Sequence, residues 1–167
     1  MRTKLLQLTA LALLVILAGS CKKESNDYYV RLTKNGAQVN YTLTGGEVTP
    51  DPAANKINLG IRGQTDNASE VFDLTIQVNG NSFSPGTYDS DNTSYTTVID
   101  YSLPSGSGLE NYRIDDAATG APSRFIVTIS SITDKYISGS FTGNYLTNFA
   151  GTSLPLTKGE FNVERVN

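Results

Sequence analysis

The stretch VFDLTIQV, residues 71–78, decides the fold. Its apolar residues Phe72, Leu74, Ile76 and Val78 occupy every second position, with Val71, Asp73, Thr75 and Gln77 between them. Successive side chains of an extended chain point to opposite faces, so this pattern predicts a strand with one face buried. On a helix the same four residues would scatter around the cylinder.

The pattern recurs on both sides. SYTTVIDYSL, residues 94–103, puts Tyr95, Thr97, Ile99, Tyr101 and Leu103 on one face. RFIVTISSI, residues 124–132, groups Phe125, Val127 and Ile129, with Ile126 opposite, which reads as a strand covered on both faces. Asn35-Gly36, between two alternating runs, is a strong two-residue hairpin signal. Asn79-Gly80, Pro85-Gly86, Asp134-Lys135 and Lys158-Gly159 read as further breaks between strands. Thr44 to Asn55, with two prolines, reads as a loop, and Pro104 to Gly108 as a flexible connection. About ten strands follow, at the 8–12-residue spacing of sandwiches and barrels. The expectation is one all-β domain over residues 28–167, an antiparallel two-sheet β-sandwich. Alternation does not separate it from a closed, lipocalin-like β-barrel.

Residues 1–20 read differently. Arg2 and Lys4 precede LLQLTALALLVILA, residues 5–18, an uncharged apolar run. A basic start and a short apolar run form a signal-peptide helix, shorter than the roughly 20 residues needed to span a bilayer. Ala18-Gly19-Ser20 then precede Cys21, the single cysteine, and this resembles the lipobox of bacterial lipoproteins. The resemblance implies cleavage before Cys21 and a diacylglyceryl, palmitate-type anchor on its sulfur. Two acyl chains anchor stably where one binds marginally. Lys22 after the cysteine resembles lipoproteins released to the outer membrane, facing the periplasm or the cell surface. KKESND, residues 22–27, is a polar tether.

Cleavage takes the chain from 13 basic residues to 11, against 16 acidic ones, a net charge of −5. Nucleic acid, which requires a basic patch, is not an expected partner. Histidine is absent, which excludes Ser-His-Asp and Cys-His nucleophile systems and histidine-based zinc sites. Tryptophan is absent too, and with the thiol acylated the domain has no disulfide to rely on.

The C-terminal stretch carries a second resemblance. Gly139-Ser140-Phe141-Thr142-Gly143, and then Thr157-Lys158-Gly159-Glu160-Phe161-Asn162-Val163, resemble the tails of a group of small Bacteroidetes-type lipoproteins with a domain of unknown function. The resemblance implies a β-sandwich-like domain and no particular activity. On physical grounds, Gly139 and Gly143 let a backbone or ring approach beside Phe141. Gly159 is expected to supply a positive φ in a hairpin, with Phe161 and Val163 pointing into the core.

Candidate chemistry concentrates in YDSDNTSYTTVID, residues 88–100. Asp89 and Asp91 stand at calcium-loop spacing, with Asp115 or Asp116 as further ligands. The sixth place holds Ser94 where an EF-hand needs glycine, and a strand follows where a helix should. Calcium is thus the one cofactor candidate, set against a polar loop of Asx-turns. Tyr88 and Tyr95 bracket this loop, and tyrosine both stacks and hydrogen-bonds. They are the candidate ligand-binding pair. The sequence therefore reads as a non-catalytic binding or adhesion module for a glycan or an envelope protein. The alternatives are a carrier of a small apolar ligand in a barrel, and an acid-only hydrolase needing two convergent carboxylates.

Overall fold

The computed structural model describes residues 27–106, 108–114 and 123–166. The expected signal-peptide helix, Cys21, most of the tether, Asp115 and Asp116 lie outside them. The described residues form twelve strands and no helix. These are β1 (Tyr29–Lys34), β2 (Ala37–Tyr41), β3 (Leu43–Asp51), β4 (Lys56–Gln64), β5 (Val71–Asn79) and β6 (Gly86–Asp89). Then follow β7 (Tyr95–Ser105), β8 (Gly108–Arg113), β9 (Ile126–Ile132), β10 (Tyr136–Thr142), β11 (Tyr145–Asn148) and β12 (Ser153–Glu164).

All strand pairs are antiparallel, and they run in two sheets that share β12. The first sheet has the order β2-β1-β12-β10-β9-β6, the second β3-β4-β5-β7-β8-β11-β12. β10 and β11 lie in line along one edge of β12 and are separated at Gly143-Asn144. There the hydrogen bonds continue through Gly143 N–H to Thr157 C=O at 2.8 Å and Leu156 N–H to Asn144 C=O at 3.2 Å. The chain turns this corner from one sheet into the other, and the Phe125 ring packs where Gly143 would carry a Cβ. The path is not closed into a barrel, so the lipocalin-like alternative is set aside in favour of the sandwich-like arrangement.

The alternation seen in the sequence selects the core. Phe72, Leu74 and Ile76 of β5 are fully buried, as are Ile99 and Tyr101 of β7 and Phe125, Val127 and Ile129 at β9. Phe72 of the second sheet stacks on Phe141 of the first at 5.4 Å, and Phe125 packs on Phe141 at 6.1 Å. Asn35 and Gly36 take positive φ (50° and 77°) in the expected tight turn.

Four expectations are corrected. Thr44 to Asn55 is mostly strand β3, which pairs along its length with β4 and tolerates Pro50 as an edge strand. Its Gly46 serves packing, since a Cβ there would lie 2.6 Å from Val163 Cγ2. Lys158-Gly159 is no turn: both lie within β12, and Gly159 makes room for the Phe141 ring. Pro104 and Ser105 are not connection but the end of β7, paired with Leu109 and Gly108 of β8. Ile126 remains half-buried, so β9 is covered on one face.

Candidate functional site

Three places gather polar chemistry. The first is a groove of about 430 Å³ on the outer face of the first sheet. Alternation along β12 sends Phe161 and Val163 inward, so Lys158 and Glu160 stand outward. Lys158 lies between Thr33 of β1 and Thr142 of β10, and Glu160 between Arg31 and Ser140. Gln38 of β2 closes one wall. Short hydroxyl side chains on β10 beside long ones on β1 and β12 leave the hollow. Arg31 pairs with Glu160 at 3.1 Å and lies over the Tyr29 ring at 3.9 Å. Lys158 has no ion-pair partner among the described residues.

The second is the sequence-predicted loop. Tyr88 on β6 and Tyr95 at the start of β7 meet edge to face at 5.2 Å, and Phe83 packs on Tyr88 at 5.0 Å. Both tyrosines are half-buried where the edge of the first sheet meets the second. The Tyr88 hydroxyl donates to Ser84 C=O at 2.6 Å, and the Tyr95 hydroxyl accepts from the Asp89 N–H. Burial, and then the neighbouring Tyr95, push Tyr88 above its ordinary pKa. Arg124 grips Asp89 with both Nε and Nη2 and reaches Asp91 at 3.4 Å. That guanidinium holds Asp89 below the usual carboxylate range. Asx-turns shape the loop: Asp91 N–H to Asp89 Oδ1 at 3.2 Å and Ser94 N–H to Asn92 Oδ1 at 2.8 Å. Among the described residues no group of three or more acidic, cysteine or histidine side chains is placed to hold a metal ion.

The third is internal. Tyr41 and Tyr101 contact each other through their hydroxyls, and both donate to Glu70 Oε2, at 3.2 and 2.7 Å. Lys34 Nζ completes the group at 2.9 Å from the same oxygen and lies over the Tyr101 ring at 5.2 Å. Burial pushes both tyrosines far above their ordinary pKa. Burial also opposes the charge on Glu70, yet the hydrogen bonds from Lys34 and Tyr101 outweigh it, and its pKa is lowered. Four residues from four parts of the chain make this clasp, and alternation alone carries no signal for it.

The outer face of the second sheet bears a charge ladder, Arg62-Asp73-Asp100-Arg113, in direct cross-strand register. Arg113 holds Asp100 with two hydrogen bonds, and Arg62 lies 3.8 Å from Asp73. Each acid has its own arginine, so the ladder is neutral. The alternating pattern of VFDLTIQV predicts that Asp73 faces outward. The sequence carries no signal for the groove, because Lys158-Gly159 reads there as a turn. No family model, curated protein or solved structure matches this chain.

Proposed function

We propose that this chain is an envelope lipoprotein whose domain is a non-catalytic binding module, taking a glycan on the outer face of the first sheet. The groove chemistry carries the reading. Hydroxyls of Ser140 and Thr142, the amide of Gln38 and the ammonium of Lys158 line one hollow. That is a spread of donors and acceptors suited to a polyhydroxylated ligand. Glycoside hydrolysis needs two carboxyl groups across the scissile bond. This groove offers one, Glu160, and Arg31 already holds it. No metal is required in this reading. The lipobox-like run before Cys21 supports tethering to the outer membrane through acyl chains, and the C-terminal motifs support kinship with small Bacteroidetes-type lipoproteins.

A glycan array probed with the protein tests the site. Binding is expected, and Lys158→Ala is expected to weaken it about tenfold or more, the scale of one lost charged hydrogen bond. Tyr88→Ala and Tyr95→Ala examine the competing edge site. Loss of binding there, with Lys158→Ala unaffected, moves the site to the aromatic cluster. A flat array for the parent protein overturns the glycan reading. Palmitate labelling that persists in Cys21→Ser overturns the anchor.

A further inference from the structure

The groove on the first sheet lies among four strands, and its charge is uneven. β2 and β10 contain no Asp, Glu, Lys or Arg. β1 contributes Arg31, while its other cation, Lys34, is turned to Glu70 at 2.9 Å. β12 contributes Lys158 and Glu160. Its remaining acid, Glu164, lies six positions past Lys158, about 20 Å along the strand. In the other direction Asp89 stands three strands from Lys158 in the same row, held by Arg124. Two cations and one anion therefore line the hollow, in a chain whose net charge is −3.

The one anion is engaged. Arg31 donates to Glu160 Oε1 at 3.1 Å, and its guanidinium lies over the Tyr29 ring at 3.9 Å. Tyr29 stands opposite Asn162, so Arg31 leans toward that end of the sheet and away from Lys158. Lys158 keeps no ion-pair partner among the described residues. Its setting separates it from an ordinary solvated lysine. Thr33 lies directly across on β1, Thr142 directly across on β10, and Gln38 beyond Thr33. Gln38 is steadied by its Nε2, which donates to Asn40 Oδ1 at 3.2 Å. An ammonium with three donors, flanked by two hydroxyls, suits one anionic oxygen group. An anion makes both partners of that bond ionised, which a neutral sugar cannot.

The other outer face has the opposite balance. A hollow of about 400 Å³ on the second sheet sets Glu47 and Asp73 against Arg62. A negative ligand is thus directed to the first sheet and away from the second.

We propose that the saccharide held in the first-sheet groove is an acidic one, whose carboxylate or sulfate pairs with Lys158 between Thr33 and Thr142. This rests on the glycan reading above and adds the charge of the ligand and the residue that selects it.

The full chain is probed on an array carrying neutral, uronate-bearing and sulfated glycans. Each bound glycan is then titrated in solution beside its neutralised form: carboxyl-reduced for a uronate, desulfated for a sulfate ester. The arm that responds identifies the anionic group. Acidic glycans are expected to bind about tenfold or more tightly than their neutralised forms, the scale of one charged hydrogen bond. Lys158→Gln is expected to bring the acidic glycan down to the affinity of its neutral form, and Lys158→Arg to keep the preference. Lys158 is exposed, so both variants should melt as the parent does. Glu47→Gln, in the other hollow, should leave both affinities unchanged. Bound glycans that are neutral, or neutralised forms that bind as tightly, overturn the inference and leave the glycan reading standing. A preference that survives Lys158→Gln, or that shifts with Glu47→Gln instead, overturns the assignment of Lys158. A flat array overturns both readings.

Discussion

At the scale of single residues, Glu70 shows how a carboxylate becomes part of a core. Three donors converge on its Oε2: Lys34 at 2.9 Å, Tyr101 at 2.7 Å and Tyr41 at 3.2 Å. Removing an acceptor of buried donors costs more than the bond itself is worth, about 1–3 kcal/mol per abandoned group. Glu70→Leu is therefore expected to lower unfolding free energy by roughly 2–4 kcal/mol at pH 7, somewhat below the 3–5 kcal/mol scale for breaking a fully buried pair, because the Lys34–Glu70 pair is only partly buried. The pH dependence has a definite sign. The pKa of Glu70 is lower folded than unfolded, so the folded state binds fewer protons. Its contribution is complete above the unfolded value, near pH 4.3, and is lost as the pH falls through the folded value. Urea titrations of parent and Glu70→Leu should differ at pH 7 and converge toward pH 3. Equal separation at both pH values would mean that the clasp acts through packing alone.

At the scale of elements, glycine plays two different parts. Gly36 has a positive φ of 77° and open space where a Cβ would go. Gly159 has no such φ; its Cβ would meet the Phe141 ring and lie 2.8 Å from Arg31 C=O. Gly36→Ala should cost about 1–2 kcal/mol, the penalty of the left-handed region. Gly159→Ala should cost more, toward the upper part of the 1–3 kcal/mol scale for overpacking, because both strands flanking β12 would have to move. Shifts of the denaturation midpoint at constant m-value measure both, and a smaller effect at Gly159 would refute the packing role. The pair also marks what the sequence could reveal. Period-two runs such as residues 71–78 identified β5, β7 and β9 because burial on one face writes itself into alternate positions. The same reasoning read Gly159 as a turn, and Gly45-Gly46 with Pro50 as a loop. A glycine that makes room for a distant ring looks, in one dimension, like a glycine that bends the chain. That Tyr88 and Tyr95 lie close together is legible because they bracket one short loop. The nearness of Lys158 and Gln38 is not legible, because 120 positions separate them and only the register of β1, β2 and β12 brings them to one groove.

At the scale of the whole molecule, β12 decides whether the two sheets are one folding unit. Its first residues pair with β11 in the second sheet, and residues from Lys158 on pair with β10 and β1 in the first. The core is correspondingly continuous: Val30, Phe141 and Val163 from the first sheet share a cluster with Leu59, Phe72 and Tyr101 from the second. The sole cysteine is Cys21, so no intrachain disulfide can hold the halves together. Opening either sheet would expose the apolar face of the other, at about 25 cal/mol per Å². Neither sheet is then stable without its partner. Native-state hydrogen exchange should show this as one shared opening energy for the slowest amides of β5 and of β10, two strands that never pair. It should also equal the global unfolding free energy. Ending the chain at Thr157 should abolish the fold in both sheets, since β1 and β10 lose their common partner. Slow exchange in β5 that survived this truncation would mean that the second sheet stands alone, and the shared core would then be a contact between two units.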